Sequence, residues 1–191
     1  MNFVQPIRDT EKIKEIRLTL RNKNVRDELL FCTGIYTGLR ISDILKLKVG
    51  DVRNKSVLRI KELKTKNTKK NNTVKRIPIL NELKKILDPY IQNKKDSEYL
   101  FRSRQGRNKP ITRVRAYEIL REAARENGVE EIGTHTLRKT FGYHIYQETK
   151  DVALLQDIFN HSAEYITLKY IGINQDAIVA AYEKLNKRLK F

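Results

Sequence analysis

Residues 37–45 of this 191-residue chain place a cation at a break between two apolar segments. Arg40 lies between Leu39 and Ile41, where a positive charge is unfavourable unless a partner neutralises it. One candidate partner is Asp43, three residues later. The other is a bound anion, because a guanidinium is a planar, permanently charged donor that matches phosphate oxygens. Taken alone, this segment favours the anion no more than the ion pair.

A second polar segment begins at His135, near a predicted helix start after Gly133. His135 and Arg138 are three residues apart, which places both side chains on one face of a helix. Backbone amides at a helix start would add to any anion site there. The alternative is ordinary polarity on a helix surface, because an H-x-x-R spacing by itself has low specificity.

A third segment joins His161 to Tyr170 across a predicted break. Ser162 is a suitable N-cap and Glu164 a first-turn acid, so a new helix should begin just after His161. On one continuous helix, His161 and Tyr170 would lie on roughly opposite faces. With His161 outside the helix the two side chains can converge; otherwise they are an isolated histidine and a core tyrosine.

The elements that would position these segments are mostly helical, with one change of period. Apolar residues at helical spacing and local caps predict the helices. The first helix begins at a cap, Asp9 or Thr10, and covers the first twenty-odd residues, and the second covers 25–36. A short helix follows a cap at Ser42, and another follows a cap at Asn81 and is interrupted near Pro89. The last two predicted helices cover 112–127 and 174–191. β-Branched residues in 57–63 and 74–79 predict two strands joined by the basic loop KTKNTKKNN. The fold class is therefore mainly α (α+β), a single domain with a small antiparallel hairpin.

The charge of the chain predicts a polyanionic partner. Forty Lys and Arg against 23 Asp and Glu leave a net charge of +17. Binding such a partner releases its condensed counterions. The charge is spread along the chain, whereas binding to a membrane surface usually uses a basic amphipathic helix or a terminal tract. Nucleic acid is thus favoured over a membrane.

Cysteine content and hydropathy exclude several further classes of protein. The single Cys32 excludes disulfides within the chain and a cysteine-rich zinc site. No apolar run has the length of a membrane span, and the first residues lack a signal-peptide core. The expected compartment is the cytoplasm, and the protein is expected to be nucleoid-associated and either bacterial or phage-encoded.

Taken in order, the polar segments resemble the tyrosine recombinase (phage integrase) family. That family carries Arg, Lys, His-x-x-Arg, His or Trp, and then Tyr. The matching residues are Arg40 in TGLR, Lys64 in LKTKNTK, His135 and Arg138 in HTLR, His161 in NHS and Tyr170 in LKYIG. Each motif alone has low specificity, but the ordered set, which spans 37–170, is specific. The resemblance implies the helical catalytic domain of that family.

The resemblance also implies a role for each matching residue. Tyr170 is the covalent nucleophile, while Arg40 and Arg138 hold phosphate oxygens and stabilise the charge of the transition state. Lys64 protonates the departing 5′ oxygen, and Lys66 stays open as an alternative because it points the same way along a strand. His135 assists proton transfer or contacts the phosphate, and His161 hydrogen-bonds the phosphate. Asp43 orients an arginine. The residues expected to bind DNA are Lys66, Lys69 and Lys70. Neither a metal ion nor another cofactor is expected.

Nine tyrosines make the nucleophile a real choice. Tyr165 is the nearest rival, but it lies five residues too early for the family spacing. Tyr143 and Tyr146 follow H-x-x-R on a helix and fit a core, and His144 matches no family position. The family pattern therefore favours Tyr170.

These residues imply a site-specific recombinase or integrase that cleaves and rejoins double-stranded DNA through a covalent 3′-phosphotyrosine intermediate. One alternative is a type IB-like topoisomerase, which shares the chemistry. Another is a non-catalytic, basic DNA-binding protein on the same fold, although every expected catalytic position is filled. An RNA-binding protein is a weaker alternative, since the chain has no aromatic-rich strand motif.

The domain organisation departs from the usual family pattern. Only about 36 residues precede TGLR, too few for a separate N-terminal DNA clamp, so 1–191 is expected to be a single catalytic domain. The sequence is then either a catalytic-domain fragment or a short, stand-alone version of the protein. The amphipathic helix at 174–191 carries an apolar face that either packs on its own domain or is exchanged between subunits of a tetramer on DNA. Its apolar residues are Ile178, Tyr182, Leu185 and Leu189. Accessory DNA-bending or directionality proteins are the other expected partners.

Overall fold

The computed structural model describes residues 4–61, 74–133 and 135–189. In these ranges the chain forms nine α-helices, a 3₁₀ turn at Val49–Asp51 and a two-stranded sheet. The helices are α1 (Thr10–Lys23), α2 (Val25–Thr37), α3 (Ile41–Ile44), α4 (Asn81–Ile91), α5 (Arg113–Glu126), α6 (Thr136–Thr149), α7 (Val152–Phe159), α8 (Glu164–Ile171) and α9 (Ile173–Arg188). The predicted mainly α fold with a small antiparallel sheet is confirmed.

Local capping explains where α1 and α2 begin and end. The Asp9 carboxylate accepts a hydrogen bond from the Glu11 amide, and the Asn24 side chain accepts one from the Arg26 amide. Gly38 ends α2 with a φ of 61°, the left-handed conformation that glycine adopts without steric cost. A side chain there would also meet the ring of Phe141, 2.4 Å from an ideal Cβ. These caps agree with the predicted bounds.

Three predicted N-caps are wrong, by two residues at α3 and by one residue at α4 and at α8. The residues that precede the helices are Arg40 before α3, Leu80 before α4 and Ala163 before α8, instead of Ser42, Asn81 and Ser162. None of the three residues that precede the helices makes a side-chain capping bond. At α3 the reason is packing, because Ile41 and Ile44 are both buried in the main core. Burial of a helix face outweighs one capping hydrogen bond.

The predicted interruption at Pro89 is also wrong, because α4 continues through it to Ile91. A proline inside a helix removes one backbone hydrogen bond and crowds the preceding turn. Ile86, Leu87 and Ile91 are buried on the core side of α4, and their packing offsets that cost.

The sheet is a hairpin of β1 (Val57–Lys61) and β2 (Val74–Pro78). The strands pair antiparallel with Val57 opposite Pro78 and Lys61 opposite Val74. The predicted basic loop between them, with Lys64, Lys66, Lys69 and Lys70, lies outside the described residues. On β2, the Lys75 ammonium donates a 2.7 Å hydrogen bond to the carbonyl of Ile158, which ties the hairpin to the end of α7.

Apolar side chains form a large core and a small satellite cluster. The large core surrounds α2, with Leu29, Leu30 and Phe31 essentially inaccessible. The satellite cluster consists of Phe159 with Leu155 and Ile171, and it supports α6, α7 and α8. In the ranges that the structure describes, no helix has the length and hydropathy to cross a membrane.

Candidate active site

Arg138 connects three elements at the centre of the site. Its side chain is buried, with 5% of the residue exposed. One guanidinium nitrogen, Nη1, donates to the carbonyl of Gly38 at 2.6 Å, and the other, Nη2, donates to the carbonyl of Phe159 at 3.1 Å. The guanidinium carbon lies 4.2 Å from the centre of the Phe159 ring. Arg138 therefore fixes the ends of α2 and α7 relative to the start of α6.

Tyr170 projects from α8 toward the start of α6. Its hydroxyl lies 3.1 Å from Nδ1 of His135, the residue that precedes α6. The rings of His135 and Tyr170 are nearly perpendicular, at 88°, so the contact is made by the hydroxyl and not by stacking. The buried ring of Phe159 supports Tyr170 from below, at 5.5 Å between centroids. The hydroxyl of Tyr170 is thus held beside a basic nitrogen.

His161 lies outside α8, as the sequence predicts. Asn160 ends α7 in the left-handed conformation, with a φ of 54°, and α8 begins only at Glu164. This break brings the His161 ring to 5.2 Å from the Tyr170 ring. Nδ1 of His161 forms a 3.0 Å hydrogen bond with Oγ1 of Thr167, a residue fully buried on α8. The predicted convergence of His161 and Tyr170 is observed.

The electrostatic environment keeps the polar groups of the site neutral. Burial raises the pKa of Tyr170, and the charges of Arg138 and Arg40 oppose that shift. Burial lowers the pKa of His135, and the neighbouring cations, Arg138 first, lower it further. The pKa of His161 is lowered for the same two reasons. At neutral pH both imidazoles are uncharged, while the arginines supply a positive field for an anion.

Arg40 differs from Arg138 in its exposure. It is exposed at the start of α3, and its charge acts on the pKa of His135, His161 and Tyr170. Within the described ranges, the Asp43 carboxylate forms no ion pair or hydrogen bond with Arg40 or Arg138. The predicted orienting contact from Asp43 is therefore not formed in this structure. The carbonyls of Gly38 and Phe159 orient Arg138 instead.

Sequence reasoning missed two residues that line the site. Thr167 is one, because a threonine inside a helix carries no distinct signal. Lys139 is the other: its ammonium donates to the carbonyl of Val4 at 2.7 Å and lies 5.2 Å from the centre of the Tyr170 ring. Burial lowers the pKa of Lys139. Its position directly after Arg138 was the available signal.

Tyr165, the nearest rival for the nucleophile, and His144, the third histidine, lie outside the site. Tyr165 is 67% exposed on α8 and makes no ring contact with the site among the described residues. His144 forms a 3.0 Å hydrogen bond with the carbonyl of Ile7, which anchors the N-terminal segment. No group of three or more potential metal ligands occurs in the part of the chain that the structure describes.

Comparison with known proteins identifies the family. Residues 8–176 match the model of the phage integrase family. The chain belongs to the phage integrase family. The chain is 56% identical to the probable integrase/recombinase YoeC of Bacillus subtilis over 183 residues, which are 96% of this chain and 97% of YoeC. The predicted family and enzyme class, a tyrosine-type DNA strand transferase, are confirmed.

More distant relatives of this phage integrase family member are longer than the chain. It is 26% identical to the tyrosine recombinase XerA of Pyrococcus furiosus, matching 92% of this chain but only 60% of XerA. The crystal structure of XerA recombinase superposes with a TM-score of 0.71 at 20% identity, covering 98% of this chain and 67% of that one. The catalytic domain of bacteriophage HP1 integrase superposes with a TM-score of 0.58 at 21% identity, covering 87% and 86%. These two structures share the fold.

Proposed function

We propose that the chain is a site-specific recombinase that cleaves and rejoins double-stranded DNA through a covalent bond between Tyr170 and a 3′ phosphate. The observation that carries this proposal is the 3.1 Å contact between the Tyr170 hydroxyl and Nδ1 of His135 beside the buried Arg138. A nucleophile, a neutral base and a fixed cation are the groups that phosphoryl transfer to a tyrosine requires. Membership of the phage integrase family supports the same reaction.

In the proposed cleavage step, the Tyr170 oxygen attacks the phosphorus and its proton passes to Nδ1 of His135. Burial makes the tyrosinate costly in the free protein, so the proton leaves only as the phosphorus is attacked. The new bond joins the tyrosine oxygen to phosphorus, and the bond from phosphorus to the 5′ oxygen breaks. Lys64 or Lys66 gives the departing oxygen a proton. Religation reverses these steps with a different 5′ hydroxyl.

Arg138, Arg40 and His161 bind the phosphate in this proposal. Arg138 donates to two backbone carbonyls and also hydrogen-bonds the Tyr170 hydroxyl, so its guanidinium is fixed beside the nucleophile, where its charge would stabilise a non-bridging oxygen. Arg40 is exposed at the start of α3, where a DNA backbone can approach it. Two arginines spread the added charge of the transition state over fixed donors.

The DNA partner is supported by charge and by homology. The net charge of +17 favours a polyanion. YoeC, with 56% identity, is named as a probable integrase/recombinase. Structures of the fold neighbours include XerH bound to its difH substrate and the Tn1549 integrase with transposon DNA. We therefore place duplex DNA across the face that carries Arg40 and Tyr170.

A subunit contact on DNA is proposed for α9. Its apolar side chains remain exposed in the isolated chain, at 51% for Ile178, 71% for Tyr182 and 50% for Leu185. Its first turn is held in cis by a bidentate ion pair in which Arg8 donates to both carboxylate oxygens of Asp176, at 2.7 and 3.1 Å. Exchange of this face between subunits would bury it in a tetramer.

The proposal is tested with a nicked duplex in which cleavage releases a short strand that carries the 5′ hydroxyl, so that religation cannot occur. The full chain should form a covalent adduct that is stable in detergent and is resolved when a second duplex supplies a 5′ hydroxyl. Joining of the two duplexes supports recombination. Relaxation of supercoiled plasmid without any joining would instead support a topoisomerase, and the absence of any adduct would contradict the proposal.

A further inference from the structure

Thr167 places a hydroxyl inside the site where the catalytic pattern has no assignment. It is fully buried on α8, three residues before Tyr170. Threonine hydroxyls in helices commonly bond the carbonyl four residues earlier. Here the hydroxyl bonds Nδ1 of His161 at 3.0 Å, and the backbone bond from Thr167 to Ala163 is long, at 3.4 Å.

The surroundings of His161 decide its charge. Arg138 faces it from α6, Arg40 from the start of α3 and Lys75 from β2, and all three disfavour a second proton on the ring. The rings of Phe159 and Tyr170 flank it, at 5.3 and 5.2 Å between centroids. His161 is therefore a neutral imidazole, with one nitrogen that donates and one that accepts.

Only one neutral form suits a phosphate. If the Thr167 hydroxyl donates to Nδ1, then Nε2 carries the hydrogen and can donate to a phosphate oxygen, which is only an acceptor at neutral pH. If Nδ1 instead donates to Thr167, then Nε2 is an acceptor and repels that oxygen. The partner of one ring nitrogen fixes the role of the other.

We infer that Thr167 is a positioning residue, whose hydroxyl donates to Nδ1 of His161 and holds the ring in the tautomer that presents Nε2–H to the scissile phosphate. The inference rests on the proposed function, because the phosphate is what requires the donor. Thr167 and Tyr170 lie one turn apart on α8. The same bond therefore fixes His161 relative to the nucleophile.

Nitrogen-15 NMR of the full chain, with labelled histidine, tests the tautomer directly. The chain has three histidines, so His161 is assigned by its loss in His161→Gln. Wild type and Thr167→Ser should show Nε2–H at His161 at neutral pH. Thr167→Val has the same shape without the hydroxyl, and should shift His161 toward the Nδ1–H form. Thr140→Val is the matched control, since that buried hydroxyl bonds the Ile7 amide instead.

Cleavage of the nicked duplex by the same variants tests the consequence. Thr167→Val should slow single-turnover adduct formation about tenfold, the scale of one lost hydrogen bond, while Thr167→Ser stays close to wild type. Thr140→Val should leave the His161 tautomer unchanged even if it lowers the melting temperature.

Two results would overturn the inference: a Nδ1–H or doubly protonated His161 in the wild type, or a Thr167→Val variant with the wild-type tautomer and rate. If Thr167→Val fails to fold, the wild-type tautomer and the Thr167→Ser rate still decide. If neither the wild type nor any variant forms an adduct, the proposed function fails. The His161 tautomer in the free protein still tests the role of Thr167 independently of that result.

Discussion

Nδ1 of His135 lies 3.1 Å from the hydroxyl oxygen of Tyr170, although 35 residues separate them in sequence. The contact exists because His135 precedes α6 while Tyr170 occupies the last turn of α8, and both helices pack on Phe159. For Nδ1 to accept the tyrosine proton, the His135 ring must be neutral. Its lowered pKa meets that condition at neutral pH.

The pH dependence of cleavage follows from this contact. The pKa of His135 lies below its ordinary value of 6.5, so the ring stays neutral down to slightly acidic pH. The rate of adduct formation on a nicked duplex should be level from about pH 8 to about pH 6.5 and fall below that range. His135→Gln should lower the rate at neutral pH by about 10²–10⁴-fold. His144→Gln is the control, and a rate that already falls between about pH 8 and pH 7 would argue against His135 as the base.

Substitution of Arg138 should lower both stability and DNA cleavage, whereas substitution of Arg40 should lower cleavage alone. Arg138→Lys cannot keep both bonds to the carbonyls of Gly38 and Phe159, and should lower the free energy of unfolding by about 1–3 kcal/mol. Arg40→Lys removes an exposed fork and should leave stability unchanged. Both variants should cleave DNA slowly. Thermal unfolding together with adduct assays checks this, and equal melting temperatures for the two variants would contradict it.

Gly142 is where the packing of α6 against α7 and α8 can be tested. An added Cβ would come within 2.6 Å of the Phe159 ring and 2.7 Å of the Ile171 side chain. Gly142→Ala should therefore destabilise the protein by about 1–3 kcal/mol and slow cleavage by displacing Tyr170. Gly128→Ala is the comparison, since its Cβ meets open space and only its φ of 71° is strained. A Gly142→Ala protein with wild-type stability and cleavage would contradict the packing argument.

Stability should also depend on pH through His135 and His161. Their folded pKa values lie below the unfolded value, so between the two the unfolded chain binds more protons. The stability contributed by the neutral rings is present above about pH 6.5 and is lost as the pH falls toward the folded pKa values. Melting temperatures at constant ionic strength should thus drop from about pH 7.5 to about pH 5.5. The drop should be smaller in the double variant His135→Gln/His161→Gln, and an unchanged drop would assign it to other groups.

Salt should weaken DNA binding steeply. With a net charge of +17, the chain can neutralise several phosphates and release their counterions. For about six contacts, affinity for duplex DNA should fall about a thousandfold between 50 and 200 mM salt. Fluorescence anisotropy across a salt series measures the slope, and a flat dependence would count against a phosphate-binding face.

Much of the site was predictable from the sequence because the ordered set of polar residues resembles that of the phage integrase family. The break after His161 predicted the observed approach of the His161 ring to the Tyr170 ring. The partners of Arg138 were not predictable, because the carbonyls of Gly38 and Phe159 belong to a backbone whose position depends on tertiary packing. Lys64 and Lys66 lie outside the described residues, so their roles stay predictions.

Part of the fold was also predictable, where local sequence signals decide the ends of a helix. Local caps such as Asp9 and Asn24 fixed the bounds of α1 and α2. The errors at Ser42 and Pro89 arose where burial of Ile41, Ile44 or Ile91 outweighed a local preference. A long-range contact with no local signature decides such positions.

The most direct test of the account compares Tyr170→Phe with Tyr165→Phe on the nicked duplex. Both changes remove one hydroxyl from α8, but only Tyr170 lies beside His135. Wild type and Tyr165→Phe should form the covalent protein–DNA adduct, and Tyr170→Phe should form none. An adduct that survives in Tyr170→Phe and is lost in Tyr165→Phe would contradict the assignment of the nucleophile.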